Sequence, residues 1–168
     1  MSFHDVAERP VPSLLRGFSA PVTLKSDLGD TDLLFLAAND TDAFNRWEAL
    51  QTVVFKTLIA QTFAGPRQQP LEIDPRLTAA IEATMTDDTL EPAFRALCLQ
   101  LPGEADIARE IGSNVDPEAI HLARSQMRAG LAAALAPSIK RIYDGMRETA
   151  PYAPDAAAAP LLRDATRH

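Results

Sequence analysis

Apolar residues recur along most of this chain with a helical period, and the polar residues between them mark where each helix begins and stops. The segment "DTDLLFLAAND" predicts a short helix capped by Asp30 and ending near Asn39. "TDAFNRWEALQTVVFKTLIAQTF" predicts a longer one, capped by Thr41 or Asp42, with Phe44, Trp47, Leu50, Val54 and Leu58 on one stripe. Gly65 and Pro66 stop it. Three later segments share one start signal: "IDP", "LEP" and "VDP" place Asp74, Glu91 and Asp116 at caps and Pro75, Pro92 and Pro117 in first turns. Proline loses nothing there, because the first N–H groups of a helix have no partner within it, and the acid faces the positive end of the helix dipole. The stripes that follow are Leu77, Ala80, Ile81 and Met85, then Phe94, Leu97, Cys98 and Leu101, then Ile120, Ala123, Met127, Leu131 and Ala134. A short helix over 104–110 fits between the second and third. Pro137 is expected to kink or break the last long helix before Ile139, Ile142, Tyr143 and Met146 resume its stripe. "APYAPD" reads as a loop, with Asp155 a cap for one more helix.

The first 25 residues follow another rule. Pro10, Pro12 and Pro21 fix their own backbone and push the residues before them toward extended geometry. Residues 19–24, with Val22 and Thr23, read as an edge strand. A lone strand is unstable without a partner, so residues 1–25 are expected to be disordered, to pair with a second copy through the exposed strand, or to pack back on the helices. The fold class is therefore mainly α. It is an α-α superhelix-like array of antiparallel helices over 26–168, preceded by a short extended or β segment over 1–25.

Composition narrows the function. At 168 residues and net charge −7, with the arginines scattered singly among acids, the chain lacks the clustered positive charge of a nucleic-acid or anionic-membrane surface. One cysteine, Cys98, rules out an internal disulfide and points to a reducing, cytoplasmic compartment. The N-terminus has no basic and apolar signal-peptide pattern, and the longest apolar stretch is too short to span a bilayer.

The chemistry-bearing residues are few. There is no H-E-x-x-H, paired cysteine, G-x-G-x-x-G, P-loop or G-x-S-x-G pattern. Glu118 and His121 form one E-x-x-H pair, half of a di-metal site, but share their polar face with Ser125 and Arg128 and read as solvated. Cys98 lies on an apolar face and reads as a buried thiol, Trp47 as packing within its stripe, and Asp87 and Asp88 as cap chemistry rather than an acid–base pair. No catalytic, cofactor-binding or metal-binding residue is assigned.

Two stretches carry a resemblance. "PVPSLLRGFSAPV", followed after about twenty residues by "FNRWEALQ" with Arg46, Trp47, Glu48, Ala49 and Gln51, resembles the bacterial aminopeptidase N family of gluzincin-type zinc metallopeptidases. The likeness extends through the "DP" helix starts to the "IYD" of the last long helix and on to the chain end. It implies that residues 1–25 are the closing strand of a β-sandwich domain and that 26–168 begin a helical domain. Such enzymes release N-terminal residues from peptides, using zinc held by H-E-x-x-H and a further glutamate, an assisting tyrosine, and a G-x-M-E-N loop for the free amine. None of those motifs occurs here, and neither Tyr143 nor Tyr152 stands in the catalytic context. The resemblance therefore implies a non-catalytic piece of scaffold, the start of a wall around the active-site chamber, whose partner is the remainder of the enzyme and whose cofactor, zinc, lies outside this chain. Two readings stand beside it: a free-standing helical module that binds a partner protein, and a small enzyme or metal carrier with an unrecognised site.

Overall fold

The computed structural model describes residues 9–18, 26–65 and 71–145. Among them are six α-helices: α1 (Asp30–Asn39), α2 (Ala43–Ala64), α3 (Pro75–Met85), α4 (Pro92–Cys98), α5 (Glu104–Ile111) and α6 (Pro117–Gly145), with a single 3-10 turn at Arg16–Phe18 before them. The edge strand expected over 19–24, the helix after Asp155, and the positions of Met146 and Tyr152 lie outside the described residues.

The proline starts fold as the sequence dictates. Asp74 Oδ1 accepts from the Arg76 N–H at 2.8 Å, and Asp116 Oδ1 accepts from the Glu118 and Ala119 N–H groups at 3.0 and 3.1 Å. Glu91 occupies the same position without a side-chain bond. Asp42 caps α2 through the Asn45 N–H at 3.1 Å. For α1 the cap is Gly29, not Asp30. Asp30 is already helical and turns outward to Lys56 Nζ at 3.0 Å, while Asp32 reaches back to the Gly29 N–H.

α2 touches every other helix and so forms the axis of the core. Its buried stripe is Ala49, Leu50, Val53, Val54 and Leu58. Phe44 and Trp47, expected on the same stripe, are half-buried at its edge, where their rings meet at a centroid distance of 5.8 Å. α1 covers this axis with Leu33, Leu34, Leu36 and Ala37, α3 with Leu77, Ala80, Ile81 and Met85, and α6 with Ile120, Ala123, Met127 and Leu131.

Three expectations need correction. The face of α4 is rotated: Leu97 is 40% exposed, and Arg95 and Ala96 turn inward beside Cys98, which is buried as expected. The helix stops at Cys98, where the Leu99 N–H bonds back to the Ala96 carbonyl, so Leu101 is no longer on it. On α6, Ala134 is exposed and Leu135, one helical turn beyond Leu131, completes the stripe. Pro137 does not end α6, which continues to Gly145. Ala133, whose carbonyl loses its partner to the proline ring, is itself exposed, so water can satisfy that oxygen.

α6 also crosses close to the extended backbone before α3. A Cβ on Gly130 would stand 2.7 Å from the Leu71 carbonyl oxygen and 2.9 Å from Ile73 Cγ1. Backbone cannot yield as a flexible side chain would. Gly130→Ala is therefore expected to destabilise the chain by about 1–3 kcal/mol despite alanine's better helix propensity; equal or higher urea midpoints for the variant would contradict the close approach.

Candidate functional site

The residues singled out from the sequence do not converge. His121 is exposed, and its Nδ1 lies 2.9 Å from Glu104 Oε1 at the start of α5; the E-x-x-H partner Glu118 is not involved. Trp47 has its indole N–H buried without an acceptor at the edge of the α2 stripe. Tyr143 is half-buried near the end of α6. Among the described residues no group of three or more His, Cys, Asp or Glu side chains is placed to hold a metal ion, so the donor set of a zinc site is not met by them.

Cys98 is buried, and removal from water pushes its thiol up to about 12. A thiol so protonated is a poor nucleophile. Cys98 is expected to resist a disulfide reagent such as DTNB in the folded chain and to react fully in denaturant; rapid labelling of the native chain would contradict this.

Asp87 and Asp88 are not helix caps but anchors for two buried arginines. Arg46 donates from Nη1 to Asp87 Oδ2 at 2.9 Å, from Nη2 to Thr84 Oγ1 at 3.1 Å and from Nε to the Ala37 carbonyl at 3.4 Å. Arg95 donates to Asp88 Oδ1 at 2.7 Å, while its Nε has no partner. The Thr89 hydroxyl, the Arg46 guanidinium and the Thr89 N–H together lower the Asp87 carboxyl to about 2. A carboxyl depressed on folding adds stability above its unfolded pKa, and that stability is lost as pH falls through the folded value. Asp87→Asn is thus expected to cost about 1–2 kcal/mol at neutral pH. The gap to the parent chain should shrink as pH falls from about 4 to about 2; a pH-independent gap in urea unfolding would contradict the assignment.

The densest polar cluster is one no sequence motif announced. Residues 9–18 run back over the α1–α2 corner as a strap. Arg16 Nη1 donates to Asp40 Oδ1 at 2.8 Å and to Ser13 Oγ at 3.1 Å, and Nη2 donates to Thr41 Oγ1 at 2.6 Å. The Gly17 N–H donates to Asp42 Oδ2 at 2.8 Å. Asn45 Nδ2 reaches Ser13 Oγ at 2.9 Å and the Leu14 carbonyl at 2.8 Å. The Asp40 side chain is only 1% exposed. Burial pushes its carboxyl up, but the nearby Ser13 hydroxyl, the Asp42 N–H and the Arg16 guanidinium outweigh that and hold it below the usual range. Asp42 is lowered too, by the Asn45 and Gly17 N–H groups. Of the three fates expected for residues 1–25, packing back on the helices is the one seen for residues 9–18.

Elsewhere the helices leave an apolar groove of about 370 Å³ beside α6, floored by Val54, Ile81, Leu131 and Leu135 and flanked by Arg124 and Arg128. Arg124 Nε is tied to the Pro102 carbonyl at 2.8 Å. Among the described residues no helix is long and apolar enough to cross a membrane.

Comparison with known proteins places this geometry. Residues 30–163 match the model of a domain of unknown function, DUF3458_C, described as ARM repeats. Aminopeptidase N of Caulobacter vibrioides is 40% identical over 155 residues, covering 92% of this chain and 18% of that protein. Aminopeptidase N of Escherichia coli is 33% identical over 142 residues, 84% of this chain and 16% of its own length. That of Haemophilus influenzae is 32% identical over 145 residues, 86% and 17% respectively. The crystal structure of Legionella pneumophila aminopeptidase A, in complex with aspartic acid, superposes with a TM-score of 0.76 at 26% identity, covering 98% of this chain and 20% of that one. The chain thus spans less than a fifth of the curated relatives it matches. It belongs to the DUF3458_C ARM-repeat family and is homologous to the helical domain of aminopeptidase N.

Proposed function

We propose that this chain is a non-catalytic section of a zinc-dependent aminopeptidase, an enzyme that releases N-terminal residues from peptides. Residues 26–168 form the beginning of the helical wall around its active-site chamber, and residues 1–25 lead into it from the β-sandwich domain before it. The remainder of the enzyme is the partner, and the peptide meets this section only in the whole protein. The single observation that carries the reading is the homology itself, which runs across 92% of this chain while accounting for 18% of the Caulobacter relative. The architecture supports it: side chains that chemistry would need are solvated, as His121, or locked in structural pairs, as Asp87 and Asp88. The metal would be held by polypeptide outside this sequence. A cytoplasmic location agrees with the single, unpaired cysteine.

Two measurements test the reading. With an alanyl chromogenic substrate and added zinc, the isolated chain is expected to show no turnover above a heat-killed control; sustained turnover would mean that an active site lies within it. In the gene, an in-frame H-E-x-x-H is expected upstream of Met1. A stop codon directly after His168 with no peptidase motif upstream would instead favour a free-standing helical interaction module.

A further inference from the structure

The strap over the α1–α2 corner does more than cover apolar surface. We propose that Ser13–Phe18 is an interdomain latch: Arg16, plugged into the corner formed by Asp40, Thr41 and Asp42, fixes the direction in which the preceding polypeptide joins the helical body. The direction matters because, on the reading given above, that polypeptide is the β-sandwich domain.

Three observations converge on the turn. The first is the receptor. Asp40 is buried at the tip of α1, and one of its oxygens accepts both from Arg16 and, at 2.8 Å, from the Asp42 N–H. The carboxylate that receives the arginine therefore also shapes the link between α1 and α2. Its other oxygen has no partner among the described residues, so without Arg16 the buried charge would be left still less compensated.

The second is backbone geometry. Leu15 has φ 55° and Gly17 has φ 64°. Glycine adopts that region freely, but leucine rarely does, and such a residue persists only where its surroundings hold it. Bonds on both sides supply the hold: Asn45 grips the Leu14 carbonyl and Asp42 grips the Gly17 N–H. The turn is pinned at either end of its strained residue.

The third is the division of labour in the guanidinium. One nitrogen serves Asp40 and the other Thr41, from adjacent positions of one loop. A planar fork spanning two acceptors fixes orientation as well as position, which an ammonium group cannot do. By contrast, the contact of Arg9 with Asp27 is a single 3.8 Å pair between exposed side chains, and it sets no direction.

The test uses the full 168-residue chain with spin labels on Pro10→Cys and Ala134→Cys, both exposed positions, leaving buried Cys98 in place. The unaltered latch is expected to give one narrow distance distribution. Arg16→Ala should broaden it at least about twofold and speed exchange of the Gly17 amide at least about tenfold, with circular dichroism unchanged. Arg16→Lys should stay broad, and Arg9→Ala should leave the distribution narrow. Where Arg16→Ala compromises folding, Thr41→Ala removes one arm of the fork and should broaden the distribution partially. A distribution already broad in the parent chain, or one equally narrow in Arg16→Ala, would overturn the latch. Neither outcome depends on the peptidase assignment, which stands or falls on the reading frame.

Discussion

Burying Arg46 is the constraint on which the rest of this helical array depends. A guanidinium removed from water is costly unless acceptors replace the water it loses. Here the acceptors come from three places: the Ala37 carbonyl on α1, Thr84 on α3 and Asp87 just beyond it. None of these is near Arg46 in sequence. α1 and α3 must therefore both be docked on α2 before the side chain is satisfied, which makes the packing of three helices a single event. Thr84 serves twice, since its hydroxyl also bonds back to the Ala80 carbonyl. The apolar stripes supply the driving force for association, but they would tolerate sliding along the helix axes; the arginine does not.

The same logic recurs at the edges. Arg95 ties α4 to Asp88 beside the Asp87 anchor, and Arg16 ties the N-terminal strap to Asp40 in the α1–α2 link. Each arginine sits where two elements meet, and each acid sits in a link or at a helix end, where backbone N–H groups can also serve it. A structure held at its joints in this way agrees with the scaffold role proposed above, which requires a fixed shape. Chemistry would require unpaired groups gathered around a cavity. The groove beside α6 is instead lined mainly by aliphatic side chains, with its arginines at the margin.

Much of the fold was legible in the sequence because it rests on local rules. The Asp-Pro starts of α3 and α6 are decided within one turn of helix, and Leu77 falls inward with Ala80, Ile81 and Met85, as the spacing required. What escaped was decided by distant partners. Leu97 looked like core until Arg95 took the inward face of a helix only seven residues long. Asp87 and Asp88 resembled caps because their partners lie on other helices. Arg46 did carry a readable signal: it precedes Leu50 by four residues, on the same face as the apolar stripe, where an unpaired arginine has no place. The corner that receives Arg16 had none, since Asp40, Thr41 and Asp42 are ordinary linker residues until the chain folds back over them.

Trp47 is the only tryptophan in the chain, and it stands at the seam where the α2 stripe meets solvent, against Phe44 and with its ring N–H buried. Its emission therefore originates from one defined place, the first turns of α2, five residues from Asp42, the cap that also grips the strap. Tryptophan fluorescence, excited above the tyrosine band, is in effect a local gauge of that end of the molecule, blind to the far end of α6.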